Sequence, residues 1–472
     1  MQRMGGMDAA FLYIETPAMH MHAVGVLVLD PAGRPGGFGI DEVTRALAER
    51  IHLIPPLRRR ALPPPAGIDH PLWIEDPEFD LSAHIKDAPL EGPVPWGRLE
   101  QFVGDVSGRP LDRTRPLWEM WVVNPLEDGT VALVTKIHHS LMDGRAGASL
   151  LASLFDLSPD ADPVEPPDEP WVPDVVPSTQ RQVTSSVSSL VARQKDVPGA
   201  VARTFSGLAG TTRTWLSQRA AGGRTPLTAP RTLLNGAITS RRSASLTRVD
   251  LDTVRHIAHA FGVTINDVVL AASGTALKRY IEARGPLPAR NLIAAVPVSA
   301  HHGHDDGDLR NRVSNMMVEV PLRPDEPVER LLAVHANSLS SKALQSAFGT
   351  DSLQELTGFA SPSVMTAGAR LYSGLKLARY HPPVFNLVIS NVPGPPLDLY
   401  CAGAKVTGIY PMGPVMEGTG VNMTVLSEAH HLNVGVIACP DLVPDVTDIG
   451  TGFVAAVEEL KALADPPPTA GP

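Results

Sequence analysis

Residues 158–177, SPDADPVEPPDEPWVPDVVP, hold seven prolines, several acids and no lysine or arginine. Proline lacks a backbone N–H and locks φ, so this run can neither continue a helix nor sit inside a sheet. It reads as an extended linker. The core must therefore be built on either side of it. A chain of 472 residues, 43% hydrophobic, has enough apolar material for two or three domains. No run approaches the roughly 18 apolar residues of a spanning helix. The opening MQRMGGMDAAFLYIETP shows no basic stretch followed by an apolar one, so no signal peptide is expected. A net charge of −10 argues against a general nucleic-acid binder. Two cysteines, Cys401 and Cys439, are too few for a disulfide framework and fit a reducing compartment.

Both sides of the linker show α/β patterning. MHMHAVGVLVLD (19–30) is a β-rich apolar strand. GIDEVTRALAERIHLIPPLRRR starts as a helix and stops at Pro55-Pro56. RPLWEMWVV (115–123) and GTVALVTKIHHS (129–140) read as strands joined by the turn NPLEDG. GRAGASLLASLFDL then reads as a helix with Leu150, Leu151, Leu154 and Phe155 on one face. Beyond the linker, 179–224 carries Arg181, Arg193, Lys195, Arg203, Arg213, Arg219 and Arg224 against Asp196 alone. It is either a helix packed across the halves or a basic amphipathic segment on an anionic membrane. Two helices separated at GVTIN follow. Strands NLIAAVPVS, NRVSNMMVEVPL and PVFNLVISNVPGPP come next, then a hairpin from GVNMTVLSE and HLNVGVIACPD. DPPPTAGP reads as a loose tail. The expected units are 1–157, a 158–228 linker and crossover, 229–464, and the tail 465–472.

Two segments fit HHxxxDG: KIHHSLMDG (136–144) and HHGHDDG (301–307). The first follows the apolar VALVTKI, which would hold the histidines rigidly. Gly144 permits a sharp turn and Asp143 can brace it. That rigidity suits a general base, which must be held within reach of its proton. The second lies in polar, charged SAHHGHDDGDLRN and reads as a solvated loop; its spacing matches no defined zinc pattern. His430-His431 lacks the DG and reads as structural. Adjacent strand residues face opposite ways, so one of His138 and His139 should face the reaction and the other the core. His20 and His22 share one strand face and read as core or tunnel-wall residues. No G-x-S-x-G elbow, P-loop, GxGxxG or HExxH is present.

With these elements in hand, the chain resembles the bacterial wax ester synthase/diacylglycerol acyltransferase family over nearly its whole length. MDAAFLYIETPAMHMH is similar to the family's opening, RPLWEMWVV to its PLW element and KIHHSLMDG to its catalytic motif. TINDVVLA, NRVSNMMVEVPL and SNVPGPP follow in the family's order. The resemblance implies an α/β fold of two chloramphenicol-acetyltransferase-like domains, mixed sheets with flanking helices, around a central substrate tunnel. It implies acyl transfer from long-chain acyl-CoA, a substrate and not a cofactor, to diacylglycerol or a fatty alcohol. It makes His139 the base, with Asp143 structural and His138 less direct. No cofactor, metal or nucleic acid is expected, and the protein would be cytoplasmic or peripheral on the inner membrane face or lipid droplets. The HHGHDDG cluster departs from the family's usual loop.

The oxyanion of such a reaction needs donors. Candidates are backbone N–H groups near Gly144, Asn266 or Asn422. Trp118 and Glu119, on a neighbouring strand, are candidates to line the site. Asn391 either helps place CoA or caps a turn. Competing readings are a condensation-type N-acyltransferase, a lipid-surface scaffold without activity, and a thioesterase.

Overall fold

The computed structural model describes residues 2–34, 37–67, 69–141, 155–161, 164–188, 229–299, 313–348 and 362–465. The expected helix at 144–157 (apart from its last residues), the HHGHDDG cluster, the 179–224 segment beyond 188 and the tail from 466 lie outside them. So do Asp143 and Gly144.

The first half supplies β1 (Gln2–Arg3), α1 (Gly6–Ile14), β2 (His22–Asp30), α2 (Ile40–Arg50), β3 (Arg59–Leu62), β4 (Leu72–Glu75), β5 (Ile85–Asp87), α3 (Trp96–Ser107), β6 (Trp118–Val123) and β7 (Val131–His138). The second supplies β8 (Ser243–Asp250), α4 (Leu251–Phe261), α5 (Ile265–Glu282), β9 (Leu292–Ser299), β10 (Val313–Val320), α6 (Pro327–Phe348) and α7 (Pro362–Gly374). It continues with β11 (Leu387–Pro393), β12 (Tyr400–Cys401), β13 (Ala404–Met412), β14 (Val421–Ser427), β15 (His431–Ala438) and α8 (Thr447–Ala464).

The expected α/β architecture is what forms: two mixed six-stranded sheets with flanking helices, plus a small antiparallel sheet β1-β4-β3. One sheet runs β12-β13-β2-β7-β6-β5, the other β10-β9-β11-β14-β15-β8. The second sheet buries Val421, Met423, Val434 and Val436 against helices α4, α5 and α8. Those helices are defined locally. Gly262 ends α4 at φ +66°, and Thr264 with Asp267 forms a capping box that starts α5. Among the described residues no single helix is long and apolar enough to cross a membrane.

Three contacts hold the segments of the chain together. First, β13 belongs by sequence to the second half, yet it pairs antiparallel with β2, from Lys405 opposite Asp30 to Met412 opposite Val24. It covers an edge that would otherwise expose unpaired backbone groups. Second, α3 covers the free edge of β8: Glu100 Oε1 accepts the Leu246 N–H at 2.7 Å, and Trp96 Nε1 donates to Leu246 O at 3.1 Å. Third, the proline-rich linker forms no regular element over 164–177, but it is pinned to β4. Trp171 Nε1 donates to Glu75 Oε2 at 2.8 Å, and Asp174 accepts the Glu75 N–H at 3.0 Å.

Where β13 crosses β15, Gly435 lies against the Pro411 carbonyl and Met412, so that any Cβ would overlap the Pro411 oxygen. Gly435→Ala should destabilise the protein by about 1–3 kcal/mol, as overpacking does. A lowered midpoint of thermal unfolding is the expected readout; an unchanged midpoint would show that the two sheets are not locked at this crossing.

Candidate active site

Strand β7 carries the first histidine motif, and its neighbours fix it from both sides. His22 of β2 stands opposite His138, and Trp118 and Glu119 of β6 stand opposite Ile137 and Lys136. Lys136 is fully buried. Its Nζ lies 2.6 Å from Glu119 Oε1 and donates to the Val106 and Arg109 carbonyls, each at 3.0 Å. Burial pulls the Lys136 pKa down, while Glu119 opposes that. Burial would raise the Glu119 carboxyl, but Lys136 and then Lys86 hold it below its ordinary value. A buried charge is tolerable only when paired in this way. Glu119 is thus held by Lys136 and Lys86 and clamps β6 to β7.

His138 is buried. The Ser140 N–H donates to Nδ1 at 3.0 Å, and the Ser140 hydroxyl lies 2.7 Å from the same atom. An accepting imidazole nitrogen carries no proton, so the ring proton sits on Nε2. Nε2 faces Glu15 Oε1 at 3.3 Å. Glu15, just past the end of α1, also accepts the Met21 N–H at 2.7 Å and Arg113 Nη2 at 2.5 Å. Burial works to raise the Glu15 carboxyl, but His138, Arg113 and the Met21 amide hold it far below the usual carboxylate range.

His139 is different. Its backbone N–H is held by the Met21 carbonyl at 2.8 Å, and its ring lies 5.3 Å from the Phe11 ring of α1. The ring is half-buried and makes no hydrogen bond among the described residues. Burial, with a smaller contribution from His138, pushes its pKa down to about 4. It is therefore a neutral imidazole at physiological pH, with lone-pair capacity unclaimed by the described protein groups. His20 and His22 stack beside this pair with ring centroids 5.5 Å apart. Both are buried, and burial is the leading cause of their lowered pKa values.

A cavity of about 510 Å³ opens on the other side of α1. That is within the ~300–1,000 Å³ range of small-molecule sites. Its walls include Leu12, Tyr13, Leu117, Ala367 and the guanidiniums of Arg113 and Arg370. Arg113 links this cavity through Glu15 to His138.

The other sequence candidates are placed as follows. Trp118 is buried, donates Nε1 to Leu57 O at 2.8 Å and stacks on His84. Its indole N–H is already taken, as in a packed core. Asn422 donates to the Pro414 carbonyl at 3.1 Å and accepts from the Thr424 hydroxyl at 3.0 Å. Asn266 lies in the first turn of α5 and Asn391 on β11, both half-buried. Among the described residues, no hydrogen bond or ring contact joins Asn266, Asn391 or Asn422 to either histidine. Cys401 and Cys439 are buried free thiols, and burial pushes Cys401 up to about 12. No group of three or more potential metal ligands occurs among the described residues. Sequence reading missed Glu15. The only signal was its place in the ETPAMHMH run, which nothing local ties to His138. It also missed the contact of His335 Nδ1 with Asp267 at 2.8 Å, which ties α6 to α5.

The geometry predicts acid sensitivity. The folded His139 excludes a proton that the unfolded chain binds near 6.5. Its share of stability is therefore full above that pH and is lost as the pH falls toward about 4. Glu15 adds a share that is full above the ordinary carboxylate range and lost below it. The thermal midpoint should fall steadily below pH 6.5. Glu15→Gln, which leaves three partners poorly matched, should cost about 1–3 kcal/mol at pH 7. A midpoint flat from pH 7 to 4 would contradict the His139 assignment.

Comparison with known proteins shows the family. Residues 4–269 match the wax ester synthase/diacylglycerol acyltransferase catalytic domain, and residues 309–461 match the C-terminal domain of the same family. A Mycobacterium tuberculosis protein with the provisional name diacylglycerol O-acyltransferase is 35% identical, over 99% of this chain and 92% of its own length. A second protein of that organism, named likewise, is 33% identical over 98% and 97%. Among solved structures, the wax ester synthase/diacylglycerol acyltransferase of Marinobacter aquaeolei VT8 superposes with a TM-score of 0.69 at 26% identity, covering 98% of this chain and all of that one. A condensation domain of rhizomide synthetase shares the fold at a TM-score of 0.53 and 16% identity. With both family domains matched in order along one chain, the protein belongs to the wax ester synthase/diacylglycerol acyltransferase family.

Proposed function

We propose that the chain transfers a long-chain acyl group from acyl-CoA to the hydroxyl of diacylglycerol, and to fatty alcohols as a side activity. The observation that carries this reading is the contrast between the two histidines: His138 locked by Ser140 and Glu15, His139 neutral and unpaired among the described residues. His139 is the general base. Its free ring nitrogen takes the acceptor O–H proton as the oxygen attacks the thioester carbonyl. The tetrahedral intermediate collapses, the C–S bond breaks, and the same nitrogen returns the proton to the CoA thiolate. No acyl-enzyme and no cofactor are needed, because positioning both substrates at once supplies much of the rate. The oxyanion donors would be backbone N–H groups near Gly144, which, like Asp143, lies outside the described residues; Asn266 and Asn422 are alternatives. The Glu15–His138 pair is a positioning element, since the Glu15 carboxylate also holds Met21, whose carbonyl holds His139. Peripheral contact with a lipid surface would bring the acceptor.

The test is CoA release from palmitoyl-CoA without acceptor, with diacylglycerol and with hexadecanol. Release should require an acceptor, and His139→Ala should lower it by roughly 10²–10⁴-fold, the usual worth of a general base. His302→Ala, in the second motif, should remain active. Glu15→Gln should lower kcat by roughly ten- to a hundredfold, the scale of a small misplacement, with the KM for acyl-CoA little changed. The acid limb of kcat/KM should lie near pH 4–5, far below that of a free imidazole. Equal, acceptor-independent release by wild type and His139→Ala would sink the acyltransferase mechanism.

A further inference from the structure

Helix α7 has two unlike sides. One packs on α1 and lines the 510 Å³ cavity through Pro362, Ser363, Thr366, Ala367 and Arg370. Its C-terminal end is tied inward: the Ser373 hydroxyl donates to Glu417 Oε1 at 2.5 Å and lies 3.3 Å from the Thr16 hydroxyl. Among the described residues, nothing covers the apolar side chains of the other side. Val364, Leu371 and Leu375 are spaced seven and four apart, on one helical stripe. They are 69%, 60% and 57% exposed, and Tyr380 just beyond is 80% exposed. A Cβ added at Gly368, on the same stripe, or at Gly374 would meet nothing. Four large apolar side chains grouped in this way are not the scattered single exposures of an ordinary surface.

Charge says what should cover them. Residues 362–381, PSVMTAGARLYSGLKLARYH, carry Arg370, Lys376 and Arg379 and no aspartate or glutamate, in a chain of net charge −10. Lys376 and Arg379 are exposed beside the stripe. An apolar stripe with exposed cations at its C-terminal end matches an anionic bilayer surface, where acyl tails take the apolar groups and headgroups take the charges.

We propose that the bare face of α7, continued through Tyr380, is the surface by which this protein docks on an anionic lipid bilayer. The docking rests on exposure and charge alone. Its use, delivering an acceptor beneath α7 into the cavity beside α1, rests on the acyl-transfer reading.

The full chain is sedimented with vesicles of phosphatidylcholine, with and without phosphatidylglycerol, at low and high salt. The wild type should bind the mixed vesicles, bind the neutral ones less, and be partly released by salt. The double variants Leu371→Asp/Leu375→Asp and Lys376→Glu/Arg379→Glu should each bind roughly tenfold more weakly or worse. Thermal midpoints near that of the wild type show that both fold. Val172→Asp/Val175→Asp, at an exposed apolar site in the linker, should bind like wild type. The proposal is overturned if the wild type fails to bind, if both α7 variants bind as it does, or if charge reversal at Arg203 and Arg213 abolishes binding while the α7 variants keep it. Acyl transfer to a dissolved short-chain alcohol is measured in parallel. Its absence in the wild type strikes the reaction and leaves the docking result standing.

Discussion

The pairing of β13 with β2 is the constraint on which the rest depends. It draws a strand from the second half into the sheet of the first and leaves β2 hydrogen-bonded on both sides. A strand held on both sides cannot slip, because a one-residue slip would turn its apolar face to water. Since β2 is the register partner of β7, the same pairing fixes where β7 ends, and so where His138 and His139 stand. The crossing also presses β13 onto β15 at Gly435.

Within that frame the site is built from paired buried charges. Lys136 and Glu119 brace the strand, and Arg113, Glu15 and His138 brace the turn after it. Both sets carry the cost of desolvation, which each offsets with close opposite charge and backbone hydrogen bonds. The consequence is a division of labour between two adjacent imidazoles of identical intrinsic chemistry. One has its ring nitrogens turned toward Ser140 and Glu15. The other is kept neutral by its apolar surroundings and left without a described partner. The second is the imidazole whose lone pair no described group claims.

Much of the architecture was legible from local pattern. Strands β2, β6, β7, β9, β10, β11, β14 and β15 announce themselves by apolar runs between turn residues, and α4 and α5 by helical periodicity broken at GVTIN. Other pieces were not, among them β8 and the helices α1, α6, α7 and α8. Strand β13 has ordinary alternation, but nothing in AKVTGIYPM says that its partner lies in the other half of the chain. The short strands of the three-stranded sheet are too brief to carry a period. Helix α3 is visible as a helix only once its role, covering the edge of β8 through Glu100 and Trp96, is known. At the site, Trp118 and Glu119 were correctly placed on the strand beside the histidines. Which polar atoms they commit to core partners could not be read from position alone.

The sequence by itself determined the motif, the strand that carries it, the two-part α/β organisation and the family, because periodicity, turn chemistry and ordered motifs are local properties of the chain. Only the tertiary structure decided which histidine is held by Ser140 and Glu15 and which has no partner among the described residues. Glu15 reaches His138 through space, from the end of α1, and Arg113 and Phe11 arrive from other elements again. Burial and partner geometry, which set an imidazole's proton affinity and its freedom to bond, exist only after those distant segments have packed together.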